Sequence, residues 1–287
     1  MGLTTVYTPS GGTVTGALRI VAKASTSLPV EVCERIIEQL ATEPDVEDIP
    51  TRKALLACAL VSKAFYTMSR AVFCRHIAIM RWDLLQGFVK LLKGKPALLG
   101  LVESVYLSGR ATRDDLRPPR ASGALATFPL IFAQKLPRLH KLHICCMNPL
   151  WFYHLQSYFY DALRRFTSVT VLYLRDVTFT SANHFARLLD SLPHLEWFTC
   201  ADLRWIHHGQ PILQLPRRTD IKLNRLSLQT SLMSPENTRT LLEFFASSDR
   251  AAGLQRLKIG RLELSNIEHL RVGQLLHAAG RLFGTCS

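Results

Sequence analysis

The sequence predicts an α/β protein with an N-terminal module of three short helices, followed by a solenoid in which parallel strands alternate with outer helices. A compact series of apolar-faced helical segments occupies residues 27–79. Beyond it, a short apolar pattern recurs six times between residues 102 and 259, at intervals of 26 to 37 residues. Segments with helical spacing separate most copies, and this alternation is typical of stacked strand–helix units.

Length and composition indicate a sizeable core and no membrane span. The chain has 287 residues, of which 48% are hydrophobic, and a formal net charge of +13. No run of roughly eighteen apolar residues occurs, so the sequence predicts no transmembrane helix and no membrane partner. Its seven cysteines include no CxxC pair. This indicates reduced thiols, and we expect a cytoplasmic or nuclear protein.

Charge and composition divide the chain into three parts. Residues 1–26 are rich in Thr, Ser and Gly and lack the long apolar segment of a secretion signal, so we expect a disordered leader. Residues 27–77 carry a net charge of −1 and residues 78–287 carry +12. A basic body is suited to acidic or phosphorylated partners, and also to nucleic acid.

The first helix of the module is predicted from SLPVEVCERIIEQL, residues 27–40. Ser27 is suited to cap this helix and Pro29 to its first turn, where the missing N–H has no intrahelical partner. Four apolar residues then recur on one helix face. They are Val32, Ile36, Ile37 and Leu40. The acidic loop 41–50 ends the helix, and residues 51–79 predict two further short helices.

Four short blocks of the module carry a family resemblance. They are Leu-Pro-x-Glu at residues 28–31, an Ile-Ile pair followed by Leu at 36–40, Leu-Val-Ser-Lys-x-Phe at 60–65, and Phe-x-x-His-Ile at 73–77. Together these blocks resemble an F-box over residues 27–79. Two features depart from the usual pattern, because Phe65 replaces a Trp and the loop 41–50 is longer than in the shortest members.

An F-box implies docking on the Skp-type adaptor of a Skp–cullin–F-box ubiquitin ligase. Carried over to this sequence, the resemblance implies adaptor contacts at eight residues. They are Leu28, Pro29, Ile36, Ile37, Leu40, Val61, Phe65 and Phe73. Each is also a candidate for the module's own core, and Phe65 is suited to either role. Burying several aliphatic side chains, at about 1.5–3 kcal/mol each, would stabilise such a complex before entropy costs.

The body, residues 80–287, contains six copies of the pattern apolar-x-x-apolar-x-apolar. They are VESVYL (102–107), LHKLHI (139–144), VTVLYL (169–174), LEWFTC (195–200), LNRLSL (223–228) and LQRLKI (254–259). Helical spacing occurs at 82–92, 152–166, 181–192, 234–248 and 265–280. These units resemble irregular leucine-rich repeats, in which parallel strands line a concave face. Because the chain ends soon after the last predicted helix, we expect the solenoid to stop within a repeat.

A doubly wound α/β fold is the competing architecture, since it also alternates strands and helices. No GxGxxG or GxxxxGK[ST] motif follows any predicted strand. The strand copies also alternate apolar and polar residues, whereas strands that are buried on both faces are almost continuously apolar. Both observations favour the solenoid.

No motif for catalysis or metal binding emerges from the sequence. GxSxG, HExxH and paired Cys–His signatures are absent. His140 and His143 should point to opposite faces of one strand, and the pair His207–His208 has no ligand set of usual spacing nearby. Asp114–Asp115 lies among arginines and indicates a solvated loop. We therefore predict no enzyme activity, no cofactor and no metal site.

The outward-facing residues of the predicted strands are the candidate target-binding surface. The set is Tyr106, Lys141, His143, Tyr173, Arg175, Trp197, Arg225, Arg256 and Lys258. It combines aromatic with basic side chains and becomes more basic toward the C-terminus. Such a face is suited to an acidic or phosphorylated protein segment, because Arg pairs with carboxylate and phosphate through two hydrogen bonds. An ordinary solvated sheet surface is the alternative.

Three functions follow from these observations. The first is a substrate-recognition subunit that docks a ligase adaptor through the module and holds a target protein on the repeat face. The second is a scaffold without ligase association, in which the N-terminal helices only cap the solenoid. The third is a nucleic-acid binder that uses the basic body, since aromatic and basic residues together also suit single strands.

Overall fold

The computed structural model describes seven stretches of the chain. They are residues 29–41, 49–109, 120–147, 157–207, 223–229, 233–246 and 253–260. Within them the fold is α/β, with one open sheet of seven parallel strands that follow one another in chain order. The predicted leader (1–26), the last predicted helix (265–280) and the expected end within a repeat lie outside the described residues.

All six predicted strands are confirmed, and a seventh precedes them. The strands are β1 (His76–Ile79), β2 (Ser104–Ser108), β3 (Lys141–Met147), β4 (Val171–Phe179), β5 (Trp197–Trp205), β6 (Arg225–Gln229) and β7 (Arg256–Ile259). Strand β1 falls in the stretch that the sequence analysis assigned to the helical module. It pairs in parallel with β2 and so belongs to the sheet.

Helices connect most neighbouring strands. The described α-helices are α1 (Val30–Ala41), α2 (Ile49–Ala59), α3 (Lys63–Arg75), α4 (Trp82–Gly94), α5 (Arg120–Phe132), α6 (Ser157–Leu163), α7 (Ala182–Asp190) and α8 (Pro235–Ala246), and a 3₁₀ helix spans Pro96–Leu101. Helix α5 was not predicted, because Gly123 and the internal Pro129 obscure its pattern. It forms because Leu125, Phe128 and Phe132 are buried in the core.

Two rows of strand residues build the main core. In one row Leu142, Leu172, Phe198 and Leu226 are neighbours in the parallel register, and all four are buried. The second row, two residues further along each strand, is buried in the same way. Both rows pack with helix residues in one apolar cluster. Since strand side chains alternate, the intervening residues point to the opposite face of the sheet.

The largest aromatic cluster of this core joins α7 and α8 to strand β5. The rings of Phe185 and Phe244 lie 4.9 Å apart, and those of Phe198 and Phe245 lie 5.7 Å apart. All four side chains are almost fully buried. Helices from different units thus share one core, which is expected when a single strand–helix unit cannot bury its own apolar face.

Strands β3, β4 and β5 change direction at the same register position. Cys146, Asp176 and Asp202 have φ values of 51°, 52° and 53°, in the left-handed region. Each follows an outward-facing residue and precedes a buried one, so the three sites correspond. Aspartate tolerates this region better than most residues. The guanidinium of Arg204 pairs with the carboxylates of both Asp176 and Asp202, which ties the second and third sites together.

The three N-terminal helices have a small core of their own. Its buried members are Cys33, Ile37, Leu55, Phe65 and Val72. Ser62 caps α3, because the backbone N–H of Phe65 donates to its hydroxyl at 3.3 Å. Helix α3 ends at Arg75 and β1 begins at the next residue, so the module is continuous with the sheet. None of the described helices combines the length and apolarity needed to cross a bilayer.

Candidate functional site

The structure separates the predicted adaptor contacts into core and surface residues. Ile37 is 2% exposed and Phe65 is 7% exposed, and both belong to the core of the module. Both side chains therefore pack inside the module, which is the alternative that the sequence analysis gave for each of them. Leu40 and Phe73 are half-buried and pack against this core. Leu28 lies outside the described residues.

Pro29, Ile36 and Val61 are exposed, as an adaptor contact requires. Val61 is 72% exposed and lies in the turn between α2 and α3. Ile36 lies one turn after Val32 on α1, and both are exposed beside the buried Ile37. The apolar stripe of α1 is therefore wider than the three-helix core can cover.

Sequence reasoning missed several further members of this surface. Leu60 is 88% exposed, the largest exposed fraction among the large hydrophobic side chains of the described residues. We call the exposed set the apolar module surface. It comprises Val30, Val32, Ile36, Leu56, Leu60, Val61 and Tyr66. Leu60 and Val61 were visible in the sequence as an apolar pair at a helix end, a place where little core is available to bury them.

The second surface is the sheet face opposite the main core, where aromatic rings form a row across neighbouring strands. The ring centroids of Tyr106 and His143 lie 6.2 Å apart, those of His143 and Tyr173 lie 4.3 Å apart, and those of Tyr173 and Trp197 lie 5.8 Å apart. The guanidinium of Arg225 continues the row, 5.3 Å from the centre of the Trp197 ring. We call these five residues the aromatic ladder.

Tyr106 forms the buried end of the ladder. It is 8% exposed, and its hydroxyl lies 2.6 Å from the Sγ atom of Cys145, which is also buried. Neighbouring side chains therefore already cover most of this ring. The accessible part of the ladder begins at His143.

Burial sets the protonation of the central rings. Burial, together with the positive charges of Lys141 and His76, lowers the pKa of His143 to about 4. The imidazole is therefore neutral near pH 7, which suits its near-parallel stack on Tyr173 (9° between the planes). Burial also raises the pKa of the Tyr173 phenol, so this ring carries its proton.

Most of the basic residues predicted for this face are exposed. Arg175, Arg225, Arg256 and Lys258 are exposed, and Lys141 is half-buried. Arg225 and Arg256 are direct neighbours in the register of β6 and β7. Among the described residues, no carboxylate forms an ion pair with Lys141, Arg225, Arg256 or Lys258.

The histidines and cysteines of the described stretches form no cluster of three or more groups suited to a metal ion. His143 is part of the ladder, whereas His140 lies before β3 and contacts the carbonyl oxygen of Arg138. Burial raises the pKa of the Cys200 thiol, which makes it a poor nucleophile. Asp114, Asp115 and His208 lie outside the described residues.

One contact between hydroxyls and a histidine was not predicted. The Nδ1 atom of His184 lies 2.6 Å from the Thr180 hydroxyl and 3.2 Å from the Ser181 hydroxyl. These residues form the first turn of α7 and the residues just before it. All three contacting atoms belong to side chains, so the contact satisfies no backbone group at the start of α7.

No protein-family model matches this sequence, and no curated protein sequence matches it. The apolar module surface and the sheet face are therefore the features from which a function can be proposed.

Proposed function

We propose that the protein is a substrate-recognition subunit of a Skp–cullin–F-box type ubiquitin ligase, acting in the cytoplasm or nucleus. Helices α1–α3 serve as an F-box that docks the Skp-type adaptor, and the body serves as an irregular leucine-rich-repeat solenoid that holds a target protein. The protein itself performs no bond chemistry in this role. It raises the local concentration of target lysines near the ligase.

The apolar module surface carries this proposal. Leu60 and Val61 are 88% and 72% exposed, at a helix end that the small core of the module does not cover. Soluble proteins tolerate single exposed apolar residues, but a set on one small module is typical of a protein contact. Burial of both side chains would contribute about 3–6 kcal/mol to a complex.

The strand order supports the solenoid part of the proposal. The seven described strands follow one another in chain order and are all parallel. A doubly wound sheet instead reverses its order at a switch point, where its ligand crevice forms. The corresponding left-handed residues Cys146, Asp176 and Asp202 add a repeated local geometry.

A scaffold without a ligase is the second candidate, and one observation favours it. Helix α3 runs directly into β1, the first strand of the described sheet, so the module adjoins that end of the sheet. A solenoid needs such a terminal cap, whether or not the cap also binds a partner. The two candidates differ in whether the exposed apolar residues are used.

Co-purification with a Skp-type adaptor tests the proposal. The double variant Leu60→Asp/Val61→Asp places two carboxylates in the exposed α2–α3 turn, away from the module core. We expect the adaptor affinity to fall at least about 100-fold, because at least about 3 kcal/mol of apolar burial is lost.

Leu84→Asp/Leu91→Asp on α4 is the matched control. These two leucines are also exposed, but they lie outside the module. The control should bind the adaptor like the wild type. Equal affinity of the wild type and Leu60→Asp/Val61→Asp, or no adaptor binding by the wild type, would contradict the proposal and leave the scaffold.

A further inference from the structure

We propose that the accessible part of the aromatic ladder, from His143 to Arg225, and the cations beside it bind an extended peptide segment that bears several carboxylates or phosphates. The inference rests on the proposed target-recruiting function and names the chemistry of the target. Its evidence is the orientation of the rings, the distribution of positive charge, and the length of the face.

Contacts between neighbouring strands determine how the rings of the ladder are oriented. His143 and Tyr173 stack on each other at 4.3 Å with 9° between their planes, so each ring uses one face for the other. Arg225 occupies a face of Trp197. These ring faces are therefore occupied by neighbouring side chains of the ladder, and Arg225 adds a positive charge at its end.

The cations on β6 and β7 extend this positive surface. Arg225 neighbours Arg256 across the strands, and Lys258 lies two residues beyond Arg256 on the same face. No carboxylate in the described stretches pairs with them. Like charges on neighbouring strands repel each other, and a bound anion would remove that cost.

The length of the face sets the size of the ligand. From His143 on β3 to Lys258 on β7 the sheet crosses four strand spacings, which is about 19 Å. An extended peptide covers this distance with about six residues. Its anionic groups should be concentrated over β6 and β7, where Arg225, Arg256 and Lys258 are exposed.

The same ring geometry favours a peptide over single-stranded nucleic acid. Sequence-tolerant binding of single strands relies on bases that stack on open aromatic faces. In the ladder, His143 and Tyr173 cover each other, and Arg225 covers a face of Trp197. A peptide needs no such open face, because its carboxylates or phosphates pair directly with Arg and Lys.

Fluorescence anisotropy with the full chain near physiological salt tests the inference. The probes are labelled octaglutamate, a peptide of equal length with phosphoserines, octaglutamine, and an oligothymidylate of eight nucleotides. We expect binding of octaglutamate, of the phosphopeptide or of both, and none of octaglutamine. The double variant Arg256→Glu/Lys258→Glu should weaken the bound peptide about tenfold or more, as expected for the loss of a charge-assisted hydrogen bond.

The variant Lys90→Glu/Lys93→Glu on α4 has the same charge change on exposed residues away from the ladder, and it should bind like the wild type. Equal weakening by both double variants, absence of any peptide binding, or tighter binding of the oligothymidylate at the same residues would overturn the inference. Which anionic peptide binds identifies the source of the charge.

The two proposals fail independently. If Arg256→Glu/Lys258→Glu leaves peptide binding intact while the adaptor still co-purifies with the wild type, only the ligand assignment is wrong. If the anionic peptide binds as expected but no adaptor does, the ligase function is wrong and the peptide site remains.

Discussion

His143 is the second ring of the aromatic ladder, between Tyr106 and Tyr173. The sequence predicted it as a residue of the outward face, because alternation along LHKLHI fixes which side chains avoid the core. Its stack could not be predicted, since ring orientation depends on neighbours from other strands. The same limit applies to Ile36 and Ile37. A sequence pattern places both on the apolar side of α1 but does not decide which one is buried.

The lowered pKa of His143 predicts that the stability of the fold depends on pH. It is about 4 in the folded protein, against 6.5 for an unperturbed histidine. Above pH 6.5 the imidazole is neutral in both states, and its neutral form is fully compatible with the fold. Between pH 6.5 and about 4 the unfolded chain binds a proton that the folded chain does not, so stability falls as the pH falls.

We therefore expect the free energy of unfolding to drop between pH 7 and pH 5 by up to about 2 kcal/mol more in the wild type than in His143→Phe. Phenylalanine keeps a ring in the stack and removes the titration. Denaturant unfolding at several pH values measures the difference. His194→Gln changes an exposed histidine and is the control. Identical pH profiles for the wild type and His143→Phe would exclude a buried neutral imidazole.

At the scale of elements, apolar patterns predicted six of the seven described strands. Each copy has three apolar positions that must face the same core, and that requirement leaves little freedom in where the strand lies along the chain. Strand β1 was assigned to the helical module, because HIAI is short and follows α3 without a turn. Helix α5 was not predicted because Pro129 lowers its helix propensity. Burial of Leu125 and Phe128 supplies the stability that propensity does not.

Two glycines in these elements predict opposite effects of one substitution. Gly87 lies inside α4, and an added Cβ there would meet nothing within 4 Å. Gly87→Ala should therefore stabilise the protein by about 0.5–1 kcal/mol, because alanine loses less backbone entropy in a helix. Gly109 follows β2, and an added Cβ would lie 2.9 Å from the carbonyl oxygen of Cys146. Gly109→Ala should destabilise by about 1–3 kcal/mol.

Denaturant unfolding of both glycine variants beside the wild type gives the comparison. A loss of stability in Gly87→Ala would contradict the open space at that position, and a gain in Gly109→Ala would contradict the close contact with Cys146.

At the scale of the whole molecule, the N-terminal module and the cations of the proposed peptide site lie toward different ends of the sheet. Helix α3 adjoins β1 at one edge, and the cations of β6 and β7 lie near the other. Six strand spacings separate β1 from β7, which is about 29 Å, and two spacings, about 10 Å, separate β1 from β3, where the proposed peptide site begins. The order of the units was predictable from the sequence. The exposed fractions of Leu60 and Val61 were not, because they depend on how the three helices pack.

In the proposed function, the N-terminal helices bury their apolar surface against a Skp-type adaptor. Isothermal titration calorimetry of the full chain with that adaptor, repeated at several temperatures, tests it most directly. We expect a one-to-one complex with a negative heat-capacity change, the mark of apolar burial, and loss of that complex in Leu60→Asp/Val61→Asp. Absence of binding at every temperature, or a complex that this variant leaves unchanged, would contradict the account.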